Sequence, residues 1–442
     1  MQTARAIRQP QRDSARWTRY APWFATGLVL ALVMASRDNQ ADFLVFYKAA
    51  SALAHGHDPY PRLGSAQVYD GSSYVYPIWV AATLTPLTLL TPFAAAKVWV
   101  AISLAAYALS FKLLGKPSGS ALLLAGLTTP VIISLQMGTL TPFLVLGIAV
   151  AWRWRDTPVV AAAAVALAGT SKLYLLAILV FFAATRRLKA LGLSVAFSVT
   201  LLGAGFLLGP IGATGYARLL LSLSKHESVQ GWSSSAILAP LVGVGTARLL
   251  PQVAAIAAAA GLLWLRRRHP SDRRALAGAV SIALLATPIL WSSYLPLLLP
   301  ILFLADAPIW AIWVAAALSW ALTTPDRAQA PLDAAAMGLL AALAAFSLLG
   351  GSTGETLRTL RESGRSLALR ARHSFRRGRT VWLAACTALA AEAAVGAFHP
   401  ALLPAIVSQD LVIASIAYAL TSPGELPEEF ARRPKAPVIP LS

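Results

Sequence analysis

The chain has 442 residues, 57% of them hydrophobic and only 12% charged, with a mean hydropathy of +0.65. A soluble core of this length could not hide so much apolar surface, so the composition excludes a soluble globular protein and points to a polytopic membrane protein. The formal charge of +19 is divided among short clusters between apolar runs; that excludes a nucleic-acid surface and reads as a topology signal with anionic-lipid contacts.

Taken in chain order, residues 1–19 are a basic start (Arg5, Arg8, Arg12, Arg16, Arg19) expected in the cytoplasm. The apolar run that follows has the look of a secretory signal, with VMAS as a passable cleavage site, but Trp17 and Tyr20 act as interfacial anchors that extend it to a span of about 20 to 36. This delivers residues 37 to 77 to the outer side, Asp42 among them. The segment 78 to 91 is too short to cross and is broken near Pro86 and Pro92, so it is expected to be re-entrant, interfacial or a half-helix. A span at 93 to 114 ends at Lys112 and Lys116. Two more, about 119 to 135 and 139 to 152, expose Gln136 at an outer turn before Arg153 and Arg155.

Residues 158 to 184 lie between two arginine clusters but number too few for two full crossings, which predicts a hairpin of short or broken helices with its outer tip at Thr170, Ser171 and Lys172. An ammonium there either snorkels to the surface or holds an anion. A span at 189 to 208 leads to an outer loop of about 25 residues, and the chain returns through 236 to 265 to the run RRRHPSDRR. A crossing at 275 to 290 then reaches a tight outer turn at Trp291 to Tyr294, followed by short spans at 295 to 305, 307 to 322 and 332 to 349. Residues 351–380 read as a basic amphipathic cytoplasmic linker, 381–420 as a transmembrane hairpin and 421–442 as a proline-rich tail. The single cysteine, Cys386, rules out an intrachain disulfide.

By this parity one membrane face collects Asp42, Tyr47, Asp58, Tyr60, Tyr74, Tyr76, Gln136, Lys172, His226, Glu227, Trp232, Trp291, Ser293 and Tyr294. A carboxylate, a cation, an amide and several aromatics are the parts that sugar transfer from a lipid phosphate requires: a base for the acceptor hydroxyl, a positive charge for the departing phosphate, and rings to hold the sugar. Each has a structural alternative. Asp42 could cap the helix beginning near Phe43, Asp58 could organise the turn at Pro59, and Gln136 could be an interhelical polar contact. Glu227 could be a solvated loop charge. His55, His57 and Asp58 are too sparse a set for a metal site, and neither metal nor cofactor is expected.

The series DFLVFYKAASALAHGHDPY, YVYPIWVAATLTPLTLLTPFAAAKVWV, QMGTLTPFLVLGIA, LAGTSKLYLLAILVFFAATRRLKAL and TPILWSSYLPLLLP resembles, in order and spacing, the polyprenol-phosphate-sugar transferases of glycosyltransferase family 87, within the GT-C superfamily. The resemblance covers about residues 20–350. It implies an all-α integral membrane protein, a GT-C type helical bundle of roughly 12–14 transmembrane helices with short helices in the first outer loop. It also implies Asp42 as general base, Lys172 at the donor phosphate with Gln136 at the neighbouring turn, and Asp58, Tyr60 and Tyr76 in the elements that shape the first loop; the crossing parity adds Tyr47, His226, Trp291, Ser293 and Tyr294 around the substrates. Two departures stand out: Gly138 where many members have asparagine, and no histidine in the Trp291–Tyr294 turn.

The expected activity is inverting transfer of mannose from a polyprenyl-phosphate donor to a lipid-linked glycan acceptor on the extracytoplasmic face of the cytoplasmic membrane. Arabinofuranosyl transfer is the alternative within the same chemistry. A lipid or glycan transporter is disfavoured, because the polar set gathers at one surface instead of at mid-membrane depth. The expected partners are the donor, the acceptor and membrane lipids, with no nucleic acid.

Overall fold

The computed structural model describes residues 40–69, 71–115, 128–228, 233–265 and 272–304. Among them every regular element is a helix and none is a strand. The predicted first span, residues 1–19, the spans at 307 to 322 and 332 to 349, the segments 351–380, 381–420 and 421–442, Trp232 and Cys386 lie outside the described residues.

The first helix, α1 (Ala41–Ala54), is followed by a tyrosine-rich segment and by α2 (Ile78–Leu84), which tightens into a 3₁₀ stretch at Thr85–Leu89 where Pro86 removes a backbone donor. This is the short, broken element expected between 78 and 91. Next come α3 (Pro92–Leu113), α4 (Thr129–Met137), α5 (Thr141–Arg153) and α6 (Pro158–Ser171), each with a proline in its first turn, where the missing N–H would have no intrahelical partner. A 3₁₀ stretch at Leu173–Ile178, α7 (Leu179–Ala184), α8 (Leu188–Leu208), α9 (Ala213–Glu227), α10 (Ser234–Val242), α11 (Val244–Leu265) and α12 (Asp272–Ala286) follow. The last described elements are a 3₁₀ stretch at Ser292–Leu298 and α13 (Leu299–Leu304).

Among the described residues three helices, Pro92–Leu113, Leu188–Leu208 and Val244–Trp264, are long and apolar enough to cross a membrane alone. The pair Pro130–Met137 and Thr141–Arg153 is bent by 119° and makes a fourth candidate. The bend falls at Gly138, whose φ of +69° is a left-handed conformation that glycine adopts without penalty. At the centre stands α12, buried at every position from Ala275 to Leu285, as befits a helix apolar on all sides. Around it the chain uses small residues for close approach. A Cβ on Gly147 would come 3.0 Å from Ala168 Cβ, and one on Gly169 would come 2.6 Å from Leu176 Cδ2. The second contact shows the chain doubling back after Lys172, so 158 to 184 is the predicted hairpin.

Two expectations need correction. The outer loop expected after 208 contains a 15-residue helix, α9: Tyr216, Leu219 and Leu223 recur at helical spacing and are buried. The return expected at 236 to 265 is interrupted at Gly243, where φ is +76° and α10 ends against α11.

The two ends of the bundle differ. At one end Arg155, Asp156, Arg187 and Asp272 form an ion-pair network. Helix α6 leaves this end at Pro158 and reaches Lys172 ~21 Å away at ~1.5 Å per residue. Among the described residues, the clusters carrying Arg155 and Arg187, both assigned to one side by charge, therefore share an end, opposite Lys172.

Candidate active site

Asp42 sits in the first turn of α1. The N-cap position belongs to Gln40, left-handed at φ 59°, so Asp42 does not cap the helix and that alternative reading fails. Gln40 instead ties the helix start to the α4 terminus. Its backbone N–H donates to the Gln136 carbonyl at 2.9 Å, and its side-chain Nε2 donates to the Leu135 carbonyl at 2.6 Å. A Cβ on residue 138 would fall 2.5 Å from Gln40 Oε1 and 2.6 Å from Phe43 Cβ. Hence Gly138 is required here twice, by its backbone angle and by the close approach of α1. Farther along α1, Phe43 stacks on Trp99 at 5.5 Å, and Phe46 meets Tyr76 edge-on at 4.8 Å. These contacts fix the Asp42 turn against the segment carrying Tyr76.

Lys172 interrupts the hairpin between α6 and the following 3₁₀ stretch in an extended conformation, φ −137° and ψ 99°. Its Nζ lies 4.6 Å from the Tyr76 ring centre and 4.1 Å from that of Tyr294, and it donates to the Tyr294 hydroxyl. Tyr174 stacks on Tyr294, with centroids 6.1 Å apart and planes inclined by 23°. The result is an ammonium set against two tyrosine rings from distant stretches of chain.

Asp42 and Glu227 are the two carboxyls whose charge acts on this ammonium. Burial raises the Asp42 carboxyl above its ordinary value of 3.8, and the nearby Lys172 charge opposes that rise. Glu227, at the C-terminus of α9, is likewise raised by burial and drawn back by His226 and Lys172. A buried carboxylate with an elevated pKa is a stronger base than one in water, which suits it to accept a proton from a hydroxyl.

Of the residues predicted for this site, the structure brings together Asp42, Tyr76, Lys172 and Tyr294. Gln136 adjoins them through its backbone, and its helix packs on the Ser292–Leu298 stretch. Ser293 is buried in that stretch, and Trp291 stands exposed at its start. The others are engaged elsewhere. The Tyr47 hydroxyl donates to the Leu90 carbonyl at 2.8 Å, and the Tyr60 hydroxyl donates to the Tyr76 carbonyl at 2.8 Å, supporting the Tyr76 segment from behind. Asp58 Oδ1 accepts from the Tyr60 backbone N–H at 2.8 Å, the turn-organising contact foreseen for it. The ring of His226 lies on Tyr69, centroids 4.4 Å apart, at the exposed surface. Among the described residues no three His, Cys, Asp or Glu side chains gather as a metal-ligand set, so His55, His57 and Asp58 do not form one.

Sequence reasoning missed Gln40 and Tyr174 and undervalued Glu227. Tyr174 carried a signal, standing two residues beyond the lysine in an otherwise apolar hairpin. Gln40 carried none, since its role depends on a turn nearly a hundred residues away.

Residues 74–293 match the family model described as Glycosyltransferase family 87. The matched segment includes Tyr76, Gln136, Lys172, Trp291 and Ser293, ends one residue before Tyr294, and begins after Asp42. No curated protein and no solved structure matches the chain.

Proposed function

Since the chain is a membrane glycosyltransferase with the family 87 match over residues 74–293, we propose that it transfers mannose from a polyprenyl-phosphate donor to a lipid-linked glycan on the extracytoplasmic face of the cytoplasmic membrane, with inversion at the anomeric carbon. Asp42 takes the proton of the acceptor hydroxyl as the acceptor oxygen bonds to the anomeric carbon. The bond from that carbon to the phosphate oxygen breaks, and polyprenyl phosphate departs with the electron pair against Lys172. Gln136, at the adjoining turn, assists in holding the donor.

The observation that carries this reading is that Tyr76 is shared by both groups: Phe46, on the helix that carries Asp42, meets its ring at 4.8 Å, and Lys172 Nζ lies 4.6 Å from its centre, although the two groups are 130 positions apart in sequence. A base and a cation brought to one ring can serve the two ends of one displacement, since the attacking and departing oxygens flank a single carbon. Tyr76 and Tyr294 supply ring faces beside them. A donor and an acceptor that stay in the bilayer require the site to open sideways between helices.

The test is a glycolipid assay with purified protein, offering polyprenyl-phosphate mannose and polyprenyl-phosphate arabinofuranose separately. Asp42→Asn is expected to abolish mannosyl product while the protein remains folded. Undiminished product from Asp42→Asn removes the general-base role, and product from the arabinose donor alone replaces mannose by the pentose.

A further inference from the structure

The Tyr174 hydroxyl is buried and has no hydrogen-bond partner. Leaving a buried hydroxyl unsatisfied is unfavourable, and native proteins seldom tolerate it without a reason. Phenylalanine would fill the same volume and stack on Tyr294 without that cost, so the oxygen itself calls for explanation. Its surroundings supply one. Tyr174 follows Lys172 by two residues, and its ring lies on Tyr294, whose hydroxyl already receives the Lys172 ammonium. A phenol oxygen that accepts from a donor keeps its own proton to give. Beside Lys172 there are thus two phenol O–H donors, those of Tyr294 and Tyr174, that none of the hydrogen bonds described above consumes.

We propose that the Tyr174 hydroxyl is a second anchor for the anionic leaving group: together with Lys172 and Tyr294 it donates a hydrogen bond to the phosphate oxygens of an isoprenyl-phosphate lipid. This rests on the donor reading given above. The need for neutral donors follows from the charges present. Lys172 is the cation that the Tyr76 and Tyr294 rings hold here, and a single ammonium does not neutralise a dianionic phosphate. Hydroxyl donors can hold it without adding charge of either sign. A phosphate so placed also holds the proton more firmly on Asp42 once it has been taken from the acceptor.

The experiment measures binding of farnesyl phosphate, with farnesol as the phosphate-free control, to the purified full-length protein and to Tyr174→Phe. The melting temperature of each is measured without ligand. The expected result is that Tyr174→Phe weakens farnesyl phosphate about tenfold, the effect of losing one hydrogen bond to an anion. It leaves farnesol binding unchanged and does not lower the ligand-free melting temperature, because no existing bond is broken. In turnover the donor KM rises while kcat changes little. Tyr174→Leu, which also removes the ring stacked on Tyr294, is expected to melt earlier, separating the ring's structural role from the hydroxyl's.

Equal farnesyl phosphate affinity in wild type and Tyr174→Phe overturns the proposal and leaves the donor reading standing. A lower ligand-free melting temperature for Tyr174→Phe overturns it too, by revealing an internal partner for the hydroxyl. If wild type itself fails to distinguish farnesyl phosphate from farnesol, the donor reading falls and this proposal falls with it.

Discussion

The two ends of the helix bundle handle charge in opposite ways. At the arginine end, Arg187 is 19% exposed and hydrogen-bonds both carboxylate oxygens of Asp272, while Arg155 donates to the same carboxylate at 3.2 Å. Burial alone would raise the Asp272 carboxyl, but these guanidinium hydrogen bonds outweigh it and hold the group below its ordinary value. At the lysine end the carboxyls are raised, because burial is not matched by direct hydrogen bonds and only the charge of Lys172, joined by His226 at Glu227, opposes it. Saturated pairing makes a staple that joins α5, α12 and the turn before α8. Incomplete pairing leaves groups that can take up a proton or a ligand, at a cost in stability.

That contrast can be broken most directly at Asp42. Asp42→Asn is expected to lower kcat by about two to four orders of magnitude, the range for loss of a positioned general base, with no fall in melting temperature because an incompletely paired buried charge has been removed. Glycolipid turnover and thermal unfolding on the same preparation check both halves. Lys172→Met is expected to cost about a hundredfold or more in kcat/KM, and Lys172→Arg should not restore it, since the longer guanidinium stacks its plane on a tyrosine ring and spreads its charge instead of holding a compact ammonium at the same point. Restoration by arginine would reduce Lys172 to a bulk positive charge.

The opposite shifts also predict an order of events on acidification. With Asp42 as the proposed base, activity needs it ionised, and its carboxyl is raised above 3.8, so activity is expected to fall as the pH drops through that higher value. The staple's contribution from Asp272 belongs to a group held below 3.8; it is fully present above 3.8 and is lost only as the pH falls through the depressed value. Turnover should therefore vanish while the melting temperature still holds, as a parallel titration of both would register. Simultaneous loss would mean that the acid limb reports unfolding and not the base.

Smaller effects sharpen the picture. Arg187→Met should destabilise by about 1–3 kcal/mol and leave kcat of the folded fraction unchanged, since Asp272 loses its closest partner but keeps Arg155. Asp156, 75% exposed, contributes little to that figure. Tyr47→Phe removes an exposed hydrogen bond to Leu90 and is expected to cost less than about 1 kcal/mol and to leave the donor KM unmoved. A clear rise in that KM would return Tyr47 to the substrate-binding set.

Much of the fold was legible because its signals are local. The apolar runs at 93 to 114 and 189 to 208 became α3 and α8, and the clusters carrying Arg155 and Arg187 met at one end. The helix at Ala213–Glu227 was hidden because its mean polarity resembles a loop, although its buried Tyr216, Leu219 and Leu223 were spaced to reveal it. Likewise Asp42, Lys172, Tyr76 and Tyr294 could be placed on one face by counting crossings, but that counting gives depth and not proximity.

From residues alone, then, came the membrane character, the all-helical class and the rim at which the polar groups collect, since hydropathy and charge bias are properties of consecutive residues. Which of those groups meet was settled by long-range contact. Gln40 locks α1 onto Gln136, glycines at 138, 147 and 169 let backbones approach, and the reversal at Lys172 turns its ammonium against two tyrosine rings. Such meetings depend on how separate helices fit together, and no stretch of sequence carries that fit by itself.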